Sequence, residues 1–142
     1  MIEHIWTLIC SSAIIDQETN NVSIFNILEQ VEIPEESIVN QAMGIGVELL
    51  SLWVRSDLSK PARGKSRADL VAPNGEVLHL AESLIDLSKF ERLRSRALFQ
   101  GLPYKGEGVY RFLIHYQGED EEDWKLVASI PLKVMLLNKD KK

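Results

Sequence analysis

Three histidines, His4, His79 and His115, are the side chains in this 142-residue chain that most readily bind metal ions or transfer protons. None of them has a second histidine or a Cys-x-x-Cys pair at the local spacing that holds zinc. His79 and His115 alternate with apolar residues, so we expect both side chains to point from the outer faces of their strands. The sequence therefore predicts no metal site; a set of ligands brought together from distant strands is the alternative.

Serine and glycine motifs that support nucleophilic catalysis or phosphate binding are incomplete in the sequence. No Gly-x-Ser-x-Gly turn surrounds any of the strand-like serines, which are Ser11, Ser12, Ser51 and Ser129. Gly44 and Gly46 lack the third glycine of a dinucleotide-binding loop, and they begin a strand rather than a helix. We therefore predict no catalytic residue and no cofactor, and interpret the chain as a non-enzymatic protein. An enzyme of an unrecognised type is the alternative.

A ladder of arginines is the most distinctive charged feature of the sequence. Arg92, Arg94 and Arg96 occupy every second position, as on one face of a strand, and form a candidate anion-binding or partner-binding surface. A further basic series is expected on a neighbouring strand: Arg63, Lys65 and Arg67. The isoelectric point of about 5.2 and the lack of interleaved aromatic residues argue against a nucleic-acid partner. Ion pairing with acidic residues of an adjacent strand is the alternative role.

An acidic run, Glu119 to Asp123, is the remaining charged cluster. Because it is continuous and lacks the alternating aspartates and the glycine of a calcium-binding loop, we interpret it as a solvated hairpin tip. A Ca²⁺-binding loop, of the kind that C2-type sandwiches use, is the alternative.

Composition predicts one soluble globular domain with a charged surface of uneven sign. The chain is 45% hydrophobic and 26% charged, with a formal net charge of -5. Residues 1–54 contain eight acidic residues and no Lys or Arg, whereas residues 55–105 contain ten basic and six acidic residues. Such asymmetry could orient a partner, or reflect acidic and basic strands that pair across the sheets. The single cysteine, Cys10, permits no intramolecular disulfide, and no stretch is long enough to span a bilayer, so we predict a cytoplasmic protein.

Two-residue alternation predicts the elements that position these side chains. Tyr110, Phe112, Ile114 and Tyr116 fall on one face of a strand that begins at Gly108. About eight such segments are separated by turn signals, and at most one short helix is expected. The sequence therefore predicts an all-β, antiparallel β-sandwich, with residues 1–137 as a single domain and residues 138–142 as a solvated tail.

Three segments carry finer expectations. Val22 to Ile33 is predicted to form one continuous strand that ends at Pro34. The segment from Gly44 to Arg55 changes phase at Leu49-Leu50, which predicts either a β-bulge there or a central strand that is apolar on both faces. A short turn or helix is expected near Asp86–Phe90, ahead of a strand from Arg92 to Phe99, and one turn of helix at Glu35–Ser37.

Three motifs together resemble a bacterial family of small β-sandwich domains of unassigned function. They are Ile15–Ile27, Leu70–Gly75, and Phe99–Pro103 followed by Gly108–Phe112. The resemblance implies an immunoglobulin-like or C2-like sandwich and supplies no catalytic residues. The chain departs from the family in a longer stretch between the Asn74-Gly75 hairpin and Phe99. The Gly-x-Tyr-x-Phe pattern also resembles a tyrosine corner, in which the Tyr110 hydroxyl would bond back to nearby backbone; a plain core aromatic is the alternative.

The function predicted from these features is a non-enzymatic protein-interaction or structural module. It would present its loops or one sheet face to a protein partner or to a second copy of itself. The alternative is a sandwich that binds a small ligand, either Ca²⁺ or a sugar or lipid headgroup contacted by Trp53, Trp124 or Tyr104.

Overall fold

A computed structural model describes residues 1–137, so the predicted C-terminal tail, residues 138–142, lies outside the described residues. Within residues 1–137 the chain forms twelve strands and one turn of 3-10 helix at Glu35–Ser37, and it contains no α-helix. The strands are β1 (Ile2–Ile15), β2 (Val22–Ile27), β3 (Gln30–Ile33), β4 (Ile38–Val39), β5 (Ala42–Met43), β6 (Val47–Arg55), β7 (Arg63–Val71), β8 (Val77–Asp86), β9 (Arg92–Phe99), β10 (Leu102–Pro103), β11 (Gly108–Gly118) and β12 (Lys125–Leu136).

Two sheets pack face to face, as the alternating sequence pattern requires. The four-stranded sheet has the order β2-β1-β6-β9, and the five-stranded sheet has the order β3-β12-β11-β7-β8; β10, β5 and β4 form a small third sheet. All pairings are antiparallel except that of β12 with β3, which is parallel. The predicted all-β, antiparallel sandwich is thus confirmed, and the parallel pair is a feature that the sequence pattern did not predict.

The core lies between the two sheets and is built from large alternating side chains. Tyr110, Phe112 and Ile114 of β11 are buried against the inner face of the four-stranded sheet, where Trp53 is fully buried. β6 is central in its sheet, and its residues from Val47 to Ser51 are all buried. The expectation of a central strand apolar on both faces is therefore confirmed.

The first expectation for this segment, a β-bulge at Leu49-Leu50, is wrong. The register of β6 runs without interruption from Val47 to Val54 against β9. The irregularity lies instead on β1, between His4 and Trp6. Because β6 is covered on both faces, apolar residues can occupy both alternating positions of the strand, and no inserted bulge residue is needed.

The predicted continuous strand from Val22 to Ile33 is also wrong. Asn26 adopts a left-handed φ of +53°, a conformation that asparagine tolerates better than most residues and that interrupts extended pairing. The backbone amide of Leu28 still donates to Ile9 of the four-stranded sheet at 2.8 Å. One residue later, the carbonyl of Glu29 accepts from Lys133 of the five-stranded sheet at 3.1 Å. The chain thus crosses from one sheet to the other between β2 and β3.

The connection from β8 to β9 crosses between the sheets in the same way and contains no helix. The Asp86 carboxylate accepts hydrogen bonds from the backbone amide of Ser88 (3.0 Å) and from its hydroxyl (2.6 Å), which fixes a side-chain-mediated turn. Leu87 is fully buried, and its amide donates to Ala62 at 2.8 Å. The turn expected near Asp86–Phe90 is therefore present, followed by the expected strand.

Candidate functional site

The sandwich has an open side where its two edge strands, β8 and β9, flank a cleft between the sheets. The cleft has a volume of about 160 Å³. Its walls carry small inward-facing side chains from both sheets: Ser51, Ser66, Ala81, Ser83, Ser95 and Ala97. Because these side chains are short, they leave the space between the two sheet edges unfilled. Each edge strand pairs with a neighbour on one side only within residues 1–137.

Hydroxyl groups in this cleft are held by neighbouring side chains. Ser95 accepts a hydrogen bond from the indole of Trp53 at 3.0 Å, and the hydroxyls of Ser66 and Ser83 lie 2.8 Å apart. Ser51 bonds to the hydroxyl of Thr7 at 2.7 Å. These bonds fix the hydroxyl positions, so the cleft presents a preorganised wall of small polar and apolar groups.

The arginine ladder lies on β9, on the outer face of the four-stranded sheet, where it holds the β1–β2 hairpin. Arg94 donates to the backbone carbonyl of Asn20 at 2.9 Å and to its side-chain oxygen at 2.8 Å. Arg96 donates to the carbonyl of Ala13 at 3.1 Å and to Glu48 Oε1 at 2.7 Å. Arg92 is exposed at the other end of the ladder. Two of the three predicted surface arginines therefore have contacts within the protein.

The expectation that Arg63, Lys65 and Arg67 lie on a strand next to this ladder is wrong. They belong to β7, in the five-stranded sheet, where they pair with local acids. The ion pairs are Arg63 with Asp86 (3.4 Å), Lys65 with Glu82 (3.9 Å) and Arg67 with Asp69 (3.2 Å). Both strands are basic, but the chain crosses between the sheets before β9 begins, which separates the two series.

Glu48 and Cys10 are buried beneath the hairpin. Glu48 is 1% exposed, and its Oε2 atom has no hydrogen-bond partner among the described residues. Cys10 lies directly across from Glu48 in the sheet and is a free, buried thiol. Burial raises the pKa of the Cys10 thiol; the Glu48 carboxylate adds to the rise, and Arg96 opposes it. The thiol is thus kept protonated and acts as a small apolar side chain.

A second polar cluster is centred on Asp69, on the outer face of the five-stranded sheet. Asp69 is only 2% exposed. Its Oδ1 atom lies 2.6 Å from His79 Nδ1, and its Oδ2 atom lies 3.2 Å from Arg67 Nε and 3.7 Å from His115 Nδ1. Arg67 also stacks over the ring of Trp124, with its guanidinium carbon 4.7 Å from the ring centroid. One buried carboxylate therefore lies next to an arginine and two histidines from three adjacent strands.

The two histidines of this cluster differ in exposure. The side chain of His79 is 74% exposed, whereas that of His115 is 18% exposed. Burial lowers the pKa of His115, and the positive charge of Arg67 lowers it further; the negative charge of Asp69 opposes both. Both histidines extend from the outer face of the sheet as expected, but sequence reasoning missed Asp69, the residue that they share. The hairpin turn could have indicated this contact, because Asp69 and His79 lie at equal distances along the chain before and after Asn74 and pair across the hairpin.

The three aromatic residues that were predicted to contact a small ligand differ in their exposure. Trp53 is fully buried in the core, so its expected contact with a ligand is wrong. Trp124 is half-buried and lies under Arg67, and Tyr104 is half-buried near the small third sheet.

Within residues 1–137, no three His, Cys, Asp or Glu side chains are placed to hold a metal ion. Glu119–Asp123 forms the exposed β11–β12 turn, where Glu121 pairs with Lys125 at 3.6 Å.

Tyr110 has the hydrogen bonds that define a tyrosine corner. Its hydroxyl accepts from the backbone amide of Lys105 and donates to the carbonyl of Gly106, both at 2.7 Å. The side chain is 1% exposed, and burial raises the pKa of the phenol. The residue therefore fixes the loop before β11 rather than contributing to a binding surface.

No helix among residues 1–137 has the length and apolar character to cross a membrane. A scan against protein-family models finds no match to this chain, and a search of curated proteins finds no matching relative.

Proposed function

We propose that the protein is a non-enzymatic binding module that accepts an extended, acidic segment of another protein as an added strand along β9. The observation that carries the proposal is the open edge of β9 beside the small-residue cleft. A peptide that adds to a sheet edge gains main-chain hydrogen bonds, and pockets for alternate side chains give it specificity.

The two faces of β9 define the chemistry of the segment. Its outward positions, Arg92 and Arg94, favour acidic side chains at the matching cross-strand positions. Its inward positions, Ser95 and Ala97, line the cleft. An apolar cavity of roughly 150 Å³ holds one benzene ring, so the cleft has room for about one medium-sized apolar side chain. The preferred segment therefore alternates acidic with small or medium apolar residues.

Charge supports a different protein as the partner in preference to a second copy. If β9 paired with β9 of another copy, the arginines of the two ladders would face one another, and like charges directly opposite are destabilising. Among residues 1–137, Arg96 is the only ladder arginine with an acidic partner, Glu48, so no carboxylate offsets the charges of Arg92 and Arg94 there.

The test uses a fluorescent peptide of alternating glutamate and valine, with an alternating lysine and valine peptide for comparison. We expect saturable binding of the acidic peptide only, measured by fluorescence anisotropy. Slower amide hydrogen exchange along β9 in the complex would report strand addition itself, because newly formed main-chain hydrogen bonds protect amides from exchange.

Charge-reversal variants give the matched control. Arg92→Glu should weaken acidic-peptide binding about tenfold, the effect of turning one cross-strand attraction into a repulsion. Arg111→Glu, an exposed arginine of β11 in the other sheet, should leave binding unchanged. Equal binding of both peptides, or unchanged exchange along β9 at saturation, would contradict the proposal. A concentration-dependent dimer that forms through β9 would show that a second copy is the occupant instead.

A further inference from the structure

The cluster around Asp69 has unused hydrogen-bonding capacity that strand addition at β9 does not explain. Arg67 uses its Nε atom on Asp69 and its planar face on Trp124. None of its terminal Nη groups has an acceptor among the described residues. A guanidinium held in this way presents its remaining donors in a fixed direction, which is the arrangement that favours bidentate binding of phosphate or carboxylate.

His79 contributes a further hydrogen-bonding atom with a defined orientation. The 2.6 Å contact between Asp69 Oδ1 and His79 Nδ1 places a proton between those two atoms. The other ring nitrogen, Nε2, is therefore the one that remains for a ligand. With Nδ1–H donated to Asp69, Nε2 is an acceptor in the neutral ring and a donor in the protonated ring. Hydrogen phosphate carries both a P–O–H donor and acceptor oxygens, so it can pair with Nε2 in either form.

Both groups line one open hollow on the outer surface of the five-stranded sheet. Its volume is about 450 Å³, and Leu80 and Ala81 of β8 also line it. The regular register from the β7–β8 hairpin sets His79 opposite Asp69, and the irregularity follows between Asp69 and Ala68. Glu82 also lines the hollow; it lies opposite Arg67 in the β7–β8 register, and its carboxylate is 3.9 Å from Lys65 Nζ. Residues 55–105, which contain this site, have four more basic than acidic residues.

We propose that this hollow is a binding site for a small phosphate-type oxyanion, which Arg67 and His79 hold together from adjacent strands. Asp69 acts as the positioning residue, since it fixes both side chains without touching the ligand. His115 closes the side of the cluster next to β11, where its Nδ1 atom lies 3.7 Å from Asp69 Oδ2.

The test is an NMR titration of the whole protein, which follows the histidine ring signals, with inorganic phosphate, glycerol phosphate and acetate as separate probes. We expect saturable shifts of the His79 ring with both phosphates and weaker binding of acetate, which carries a single charge. Binding of inorganic phosphate but not of glycerol phosphate would show that the site takes the free ion only. Equal binding of acetate and phosphate would overturn the phosphate assignment.

Two variants test the two side chains separately. Arg67→Lys keeps the charge but removes the planar fork, and His79→Gln removes the imidazole from an exposed position; each should weaken phosphate binding about tenfold, as expected for one charge-assisted hydrogen bond. Arg63→Gln, on the same strand but paired with Asp86, is the matched control and should bind like the parent. If Arg67→Lys fails to fold, His79→Gln carries the test, because its side chain is mostly exposed. Unchanged affinity in His79→Gln, or no saturable shift in the parent protein, would refute the site.

Discussion

Replacing Tyr110 with phenylalanine removes one oxygen atom and preserves the shape of a fully packed side chain. The lost hydroxyl accepts from Lys105 and donates to Gly106, and both hydrogen bonds measure 2.7 Å. Tyr110 is 1% exposed, so water cannot readily replace the missing oxygen. A typical hydrogen bond contributes about 0.5–1.5 kcal/mol net, which gives about 1–3 kcal/mol for the pair.

Urea denaturation, followed by the fluorescence of the three tryptophans, measures this loss directly. We expect a lower midpoint with an unchanged slope, since the area exposed on unfolding stays the same. The melting temperature should fall by about 5 °C for a chain of this size. Hydrogen exchange should accelerate first at the Lys105 amide, because it loses its acceptor, the Tyr110 hydroxyl.

Tyr116→Phe provides the control. Tyr116 is a partly buried tyrosine of the same strand, and its hydroxyl has no hydrogen bond among residues 1–137. Its replacement should change the free energy of unfolding by less than about 0.5 kcal/mol. Equal effects of the two substitutions would show that the loop is held by packing alone and would refute the reasoning from hydrogen bonds.

Three other predictions concern the ionisable groups. Asp69→Asn should lower the free energy of unfolding, measured by urea denaturation, by about 2 kcal/mol, because it removes a buried carboxylate charge next to Arg67. The control, Asp120→Asn, lies at an exposed position and should have no measurable effect. Equal stability of the two variants would contradict this prediction. Burial lowers the pKa of His4 and of His115 below 6.5, so the unfolded chain binds more protons than the folded one in mildly acidic solution. Stability should therefore fall as the pH drops through and below 6.5, and it should fall less steeply in His115→Gln; a parallel pH profile would argue against this residue. Cys10 should react with a thiol reagent only after denaturation, because it is fully buried and its pKa is raised; rapid reaction in native buffer would show that the hairpin opens.

Local sequence pattern predicted the strands but could not assign them to sheets. The alternation of Tyr110, Phe112 and Ile114 depends only on a two-residue period, which the structure preserves. The break at Asn26 was missed because a left-handed backbone leaves little trace in composition, and asparagine is equally common in ordinary turns.

The candidate sites depended still more on long-range partners. Arg94 contacts Asn20, which is 74 positions away, and no local pattern indicates that pairing. Asp69 and His79 are separated by only ten positions across a hairpin with a recognisable turn, so their contact was within reach of register counting. Sequence reasoning therefore found the charged residues and missed what each one faces.

The parallel pairing of β3 with β12 has a consequence for biosynthesis. β12 lies between β3 and β11, so the edge of β3 that pairs with β12 stays unpaired during synthesis until Lys125–Leu136 has left the ribosome. Contacts between distant segments slow folding, and unpaired strand edges promote aggregation in the meantime. A nascent chain stalled before Lys125 should therefore depend on chaperones, and its release into the complete sandwich should be a late, concerted event.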